Sequence, residues 1–167
     1  VHPVAAVQSE FSLWTRDPLH NGVLAACEET GTTLVAYSPL GRGFLAGNFR
    51  RLDDLPESDA RRAFPRFQAT AAEANEALVA ALRDLAAQLD ATPAQVAIAW
   101  VLSRSPNVVT IPGMKTRAHL RDNLGGARLQ LGATQLATID AKVASLPVAG
   151  DRYPPAMMKI LDHPSAS

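Results

Sequence analysis

Apolar residues in this chain fall in short runs divided by polar, proline and glycine breaks, and the runs alternate in period. Val4 to Val7 predicts a first strand, giving way to polar Gln8, Ser9 and Glu10 at its end. Asp17-Pro18 predicts a helix start, a capping carboxylate followed by a proline in the first turn. That helix runs through Val23, Leu24, Ala26 and Cys27 and stops at Gly31, which suits a left-handed C-cap. Leu34 to Tyr37, lying between Gly31 and Pro39, predicts a second strand buried on both faces. Thr70-Ala71-Ala72-Glu73 predicts a capping box before a helix with Leu78, Leu82, Leu85 and Leu89 at helical spacing. Thr92-Pro93-Ala94-Gln95 predicts a second box, opening a helix through Val96, Ile98 and Trp100 that is apolar nearly all round and hence buried. Asn107 to Ile111 predicts the third strand, ended by Pro112-Gly113, and Thr116 caps a helix that runs to Gly125-Gly126. A last amphipathic helix carries Leu136, Ile139 and Val143, and a proline-bearing tail follows Pro147 that is expected to be loose over 151–167. Three strands separated by helices require parallel pairing with right-handed crossovers, so the class is α/β.

The stretch from Leu34 to Leu45 organises this pattern, because an apolar strand breaks there into the turn Ser38-Pro39-Leu40-Gly41-Arg42-Gly43. Ligands of parallel α/β folds gather at the carboxyl ends of strands, where glycines let backbone N–H groups approach a phosphate. Beyond the turn lies a long polar stretch, Asn48 to Gln68, rich in Arg and Asp. It holds Phe49, Phe64 and Phe67, more rings than a solvated linker needs, and reads as a lid over a site.

Composition narrows the class. The chain has 167 residues, a length suited to one domain, with 47% hydrophobic residues, 19% charged and a formal net charge of +0. Bulk charge gives no sign of a nucleic-acid partner, and no apolar run approaches the roughly 20 residues needed to span a bilayer. The one cysteine, Cys27, has no partner for an intramolecular disulfide and fits a reducing, cytoplasmic setting. The chain opens on Val1 and enters a strand within a few residues, as expected of a piece of something longer.

Three segments carry a resemblance. They are Ala6-Val7-Gln8-Ser9-Glu10-Phe11-Ser12-Leu13-Trp14, Ala36-Tyr37-Ser38-Pro39-Leu40-Gly41-Arg42-Gly43-Phe44-Leu45, and Ile111-Pro112-Gly113 followed by Leu120-Arg121-Asp122-Asn123-Leu124-Gly125. In order and spacing they resemble the last three strand-end motifs of the aldo-keto reductases, near the potassium-channel β-subunit and aflatoxin-aldehyde-reductase branches. The resemblance covers Val4 to about Leu146. It implies the C-terminal portion of a (β/α)8 TIM barrel, its last three βα units and terminal helix, over 1–150. It also implies NADP(H) bound across the strand ends, with hydride transfer to a small-molecule aldehyde or ketone.

The resemblance assigns roles residue by residue. Gln8 would meet the nicotinamide carboxamide, and Tyr37 would stack on the nicotinamide ring. Ser38, Pro39, Leu40, Gly41 and Arg42 would follow the pyrophosphate, with Arg42 able to pair bidentately with phosphate oxygens. Gly113, Met114 and Lys115, with Arg117 and His119, would lie at the adenosine 2′-phosphate, at a helix N-terminus that favours an anion. Asp122 and Asn123 would recognise the adenine and its ribose, and Trp14 would either line the substrate pocket or pack. The family's tyrosine acid, with its lysine, histidine and aspartate, belongs to the first half of the barrel. Here Tyr37 is assigned to stacking, Tyr153 lies in the tail, and none of His2, His20, His119 and His163 stands at a matching strand end. No residue is carried over as catalytic, and the isolated chain is expected to be inactive. A second reading is a non-catalytic dinucleotide-binding or interaction module derived from the same fold. Three strands would also leave two free edges and an inner face, with Val7, Val35 and Val109 stranded unless the missing half of the barrel or a second copy covers them.

Overall fold

A computed structural model describes residues 2–49, 51–159 and 161; Val1, His163 and the end of the expected tail lie outside the described residues. Three parallel strands form one sheet in the order β1 (Ala6–Glu10), β2 (Thr33–Tyr37), β3 (Val108–Ile111). Between β1 and β2 runs α1 (Val23–Thr30). Between β2 and β3 come the long polar stretch, α2 (Ala69–Gln88) and α3 (Pro93–Leu102). After β3 follow α4 (Arg117–Arg128), α5 (Ala133–Ala144) and the short α6 (Pro155–Met158).

Register separates the two faces of the sheet. Val7 pairs with Leu34 and Leu34 with Val108, so these three share one face, while Gln8, Val35 and Val109 share the other. Leu34, Ala36 and Val108 are buried beneath the helices. The second face is open: Val109 is 45% and Ile111 49% exposed. The second strand is therefore buried on one face and half-buried on the other, not on both as its unbroken apolar run suggests. Val7 is 37% exposed for a different reason from Val109, because it lies on the helix-covered face but at the free edge of β1.

Element boundaries moved wherever local side chains compete with the helix. Asp17-Pro18 forms only a three-residue 3₁₀ turn, Asp17–Leu19, without a side-chain cap. The helix proper starts at Val23, because Gly22 adopts a left-handed φ of 83° and the Asn21 Oδ1 accepts the Val23 N–H at 3.1 Å. Thr70 lies inside α2 rather than capping it; Gln68, extended after the Pro65–Phe67 turn, is the N-cap, so the expected box is absent. The Thr92 box is formed, its hydroxyl accepting the Gln95 N–H at 3.1 Å and the Gln95 amide oxygen accepting the Thr92 N–H at 3.2 Å. Helix α4 continues through Gly125-Gly126 to Arg128. The glycines serve close approach to α3 instead of ending α4. A Cβ on Gly126 would meet Ile98 Cβ at 2.9 Å and the Gln95 backbone at 3.0 Å.

The segment leading into the expected tail, and Tyr153 within it, meet the body of the chain. Ala149 bonds Asn75 on α2, and the Tyr153 hydroxyl lies 2.7 Å from that of Tyr37. Cys27 is buried and free, packed in the apolar core as its helical setting implies.

Helix propensity alone would make alanine at Gly126 favourable by about 1 kcal/mol. The contact with fixed backbone reverses this, since overpacking costs about 1–3 kcal/mol. Gly126→Ala is expected to lower the urea midpoint. Gly125→Ala, which meets only the movable Gln95 side chain, should leave it unchanged or raise it. Equal effects of the two substitutions in matched urea melts would contradict this packing.

Candidate functional site

At the carboxyl ends of β2 and β3 the chain encloses a cleft of about 950 Å³, within the roughly 300–1,000 Å³ range of cofactor pockets. Of the expected site residues it is lined by Tyr37, Ser38, Pro39, Leu40 and Arg42 from the first turn, and by Gly113, Met114, Lys115, His119, Asp122 and Asn123 from the second. Gln8, Gly41 and Arg117 do not line it. Gln8 is exposed on the open face of β1, in register with Val35. Gly41 is buried beneath the turn, where a Cβ would meet Trp14 at 2.8 Å. Arg117 is exposed on the first turn of α4.

The turn after β2 is set by unusual backbone. Ser38 and Arg42 both take positive φ, 53° and 56°, as does Gly41 at 54°. This winding folds the chain back over Trp14, which stacks on Phe44 with centroids 4.8 Å apart. Trp14 is 3% exposed, so it packs rather than lining the cleft.

Arg42 is neither solvated nor free. Its guanidinium lies 3.6 Å from Glu10 Oε2 and over the Phe64 ring at 4.3 Å. Glu10, only 3% exposed, also faces Arg66 at 3.8 Å and accepts the Thr15 hydroxyl at 2.8 Å. Burial lowers the pKa of the Arg66 guanidinium, and the Glu10 carboxylate opposes that shift. Two arginines around one buried carboxylate leave a local excess of positive charge behind the strand ends.

Tyr37 is partly buried, and burial followed by the hydrogen bond with Tyr153 raises its phenol well above the ordinary tyrosine value. The ring stays neutral throughout the physiological range. At the other end of the cleft, the Thr116 hydroxyl caps α4 by accepting the His119 N–H at 3.1 Å, with Lys115 exposed just before it. Asp122 accepts the Thr92 hydroxyl at 2.8 Å, tying α4 to the start of α3. Asn123 is 7% exposed, and its Nδ2 has no protein partner, a donor a ligand in the cleft could use.

Apart from Phe49, the third wall comes from residues not singled out individually by sequence. Asn48, Phe49, Asp59 and Arg61, from the polar stretch read as a lid, line the cleft. Arg61 donates to the Arg42 carbonyl at 2.9 Å and to both Asp59 oxygens, at 2.9 and 2.6 Å. These hydrogen bonds hold the Asp59 carboxyl well below the usual carboxylate range. The dense Arg and Asp content of this stretch was the available signal, but which arginine meets which carboxylate depends on turns that periodicity does not encode.

Among the described residues no group of three or more His, Cys, Asp or Glu could hold a metal ion, and no helix is long and apolar enough to cross a membrane. A sequence model of the aldo/keto reductase family matches residues 1–144, and the chain belongs to that family, a family of oxidoreductases. It is 40% identical over 153 residues to a probable aldo-keto reductase of Glycine max, covering 92% of this chain and 44% of that protein. It is 39% identical over 158 residues to the NADP(+) aldo-keto reductase yakc of Schizosaccharomyces pombe, covering 93% and 46%. The chain thus spans about half the length of the curated relatives it matches. Among solved structures it resembles a thermostable aldo-keto reductase in complex with the inhibitor epalrestat, with TM-score 0.58, 29% identity and coverage of 84% and 40%. It also resembles a glycerol dehydrogenase of Gluconobacter oxydans, with TM-score 0.79, 23% identity and coverage of 93% and 46%. The three βα units are those of a partial barrel of this type.

Because the Asp59 carboxyl is depressed in the folded state, the stabilisation from Arg61 is fully present above the ordinary value of 3.8 and is lost as pH falls below it. Asp59→Asn should lower the urea midpoint by a constant amount between pH 5 and 7, with the difference shrinking below pH 4. A difference independent of pH would show that the ion pair does not hold the loop.

Proposed function

We propose that this chain forms the cofactor-binding part of an NADP(H)-dependent aldo-keto reductase that reduces aldehydes or ketones, of the kind near the potassium-channel β-subunit and aflatoxin-aldehyde-reductase branches. The observation that carries the reading is convergence: the turn after β2 and the start of α4, distant in sequence, face one cleft with a tyrosine ring at one end and a lysine at the other. The residues fit the cofactor. Tyr37 offers a flat neutral ring for a nicotinamide, Lys115 and the α4 N-terminus suit a phosphate, and the unpartnered Asn123 amide suits a base or ribose. When bound, NADPH supplies the hydride. The chain's own residues bind and orient: Ser38 to Gly41 turn the backbone toward the pyrophosphate, and Arg61 holds the loop that shields it from water. Arg42 acts by neutralising Glu10 and adding positive potential, rather than by the bidentate phosphate contact expected from sequence.

In this reading the proton donor comes from outside this chain. Of the two tyrosines, Tyr37 and Tyr153 bond one another, and neither is assigned the role of acid. We therefore propose a cytoplasmic protein whose open sheet face and free edges are covered by the remaining βα units of a barrel or by self-association. A non-catalytic dinucleotide-binding module is the alternative.

Purified alone, the chain should associate in size exclusion with light scattering and should not turn over NADPH with aromatic aldehydes. Adding the remaining units as a separate polypeptide should give a compact complex and turnover; binding of NADPH without turnover in that complex would support the non-catalytic module. In a complete barrel carrying this segment, Lys115→Ala should weaken NADP(H) about tenfold or more and NAD(H) little, since a charge-assisted contact is worth about 1.5–3 kcal/mol. Arg117→Ala should do less, because Arg117 lies outside the cleft wall. Equal losses for both cofactors on Lys115→Ala would remove the ground for preferring NADP(H).

A further inference from the structure

A buried amide on α2 and the C-terminal segment form a pairing that the cofactor reading does not use. Asn75 is 0% exposed on a helix whose neighbouring inward positions are Leu78 and Val79. Its Oδ1 accepts the Ala149 N–H at 2.9 Å, and its Nδ2 donates to the Ala149 carbonyl at 2.9 Å and to the Arg66 carbonyl at 3.3 Å. One side chain therefore satisfies both backbone groups of a single residue 74 positions away, together with a carbonyl of the loop. A buried amide with its donors and acceptor used in this way fixes position in a manner an apolar residue cannot, because the bonds are directional.

The next residues carry that fixed point toward the cleft. Gly150, at φ 78°, lies so close to Pro65 that a Cβ would meet its backbone at 2.9 Å, and its carbonyl faces Arg66 Nε at 3.4 Å. Three residues on, the Tyr153 hydroxyl lies 2.7 Å from the Tyr37 hydroxyl. Its ring packs against Phe64 with centroids 5.9 Å apart, and the Arg42 guanidinium sits 5.2 Å over its face. Tyr37 lines the cleft and Tyr153 does not, so the contact holds Tyr37 from behind.

We propose that residues 149–153 are a strap anchored by Asn75, and that through Tyr153 the strap sets the attitude of the Tyr37 ring on the cleft wall. Asn75 and Tyr153 are positioning residues; neither touches the space a ligand would fill. The functional consequence rests on the reading of Tyr37 as the ring that stacks on the nicotinamide. The strap itself does not. A hydroxyl-to-hydroxyl bond at the far end of a ring restrains the ring's tilt, and tilt decides how well a flat ligand stacks. Loosening it should cost affinity without emptying the cleft.

The test separates the two layers. In a complete barrel carrying this segment, exchange of the Ala149 amide by NMR should be protected, and cross-relaxation between the Tyr37 and Tyr153 rings should be visible. Asn75→Leu should speed Ala149 exchange at least tenfold and abolish the ring contact, leaving Leu34 and Ala36 in the sheet protected as before. If Asn75→Leu does not fold, Asn75→Asp serves, since it keeps the acceptor for the Ala149 N–H but loses the donors; it should speed exchange by a smaller factor. Tyr153→Phe should keep Ala149 protected while releasing Tyr37. No protection in the wild type, no change in the variants, or loss of protection spread equally through the sheet would overturn the strap. Titration with NADPH is the second arm: Asn75→Leu and Tyr153→Phe should weaken binding about threefold or more. A wild type that binds no NADPH in a complete barrel defeats the cofactor reading while the exchange result still judges the strap. A wild type that binds, with variants that bind equally, defeats the positioning role.

Discussion

The loops of this molecule are held by a dry cluster of aromatic rings rather than by the sheet. Trp14 from the segment after β1, Phe44 from the turn after β2, and Phe49 and Phe67 from the long polar stretch pack on one another with centroids 4.8–5.6 Å apart in the Trp14–Phe44, Trp14–Phe67, Phe44–Phe49 and Phe49–Phe67 pairs. All four are at most 5% exposed. Rings of this size each bury some 150–250 Å² and add edge or offset-stacking energy of about 0.5–1.5 kcal/mol per pair. Because the four rings come from three separate segments, burying one requires the others. The cleft is consequently built as a unit, and the polar clasp of Arg61, Asp59 and Arg42 is laid over a foundation that excludes water.

Charge is arranged around that foundation with the same economy. Glu10, at the end of β1, is buried where Arg42 and Arg66 reach it, at 3.6 and 3.8 Å. A buried carboxylate without such partners would be strongly disfavoured. Removing either arginine would leave Glu10 with a single charged partner beside the Thr15 hydroxyl, a loss far larger than that of a surface pair. Arg66 also donates to Thr15 at 2.6 Å, so one guanidinium joins the segment after β1 to the loop before α2. The strand end, the aromatic cluster and the segment 149–153 meet at this point, where Gly150 and Tyr153 contact the body of the chain.

The elements with strong periodicity were legible in the sequence. The Thr92 box, the buried helix α3, the strand ending at Ile111 and the Thr116 cap each follow from local chemistry that nothing in the fold opposes. Tyr37 and the turn after it were named through the family resemblance, since a strand running into a proline and glycine turn is as often purely structural, and both lie on the cleft wall. Three kinds of feature were not legible. Helix starts at Val23 and Ala69 were decided by a side-chain bond from Asn21 and by the turn at Pro65, against the expected caps at Asp17 and Thr70. The role of Gly125-Gly126 depended on the closeness of α3, a tertiary fact. The orientation of Arg42 depended on Glu10 and Phe64, residues far from it in sequence. For the glycines and for Arg42 the deciding partner lies outside any local window, whereas the two helix starts were decided by neighbours whose turns periodicity does not encode.

The strand ladder also sets an order of assembly. β1 and β2 pair across a separation of 27 residues, from Ala6 to Thr33, whereas β2 and β3 pair across 74, from Leu34 to Val108. Closing the longer span costs about 0.9 kcal/mol more in chain entropy, since the cost grows as the logarithm of length. The first βα unit can therefore form soon after Tyr37 leaves the ribosome, while β3 must wait for α2 and α3. During that interval the β3-facing edge of β2, Leu34 to Tyr37, has no neighbour and presents a row of unpaired N–H and C=O groups.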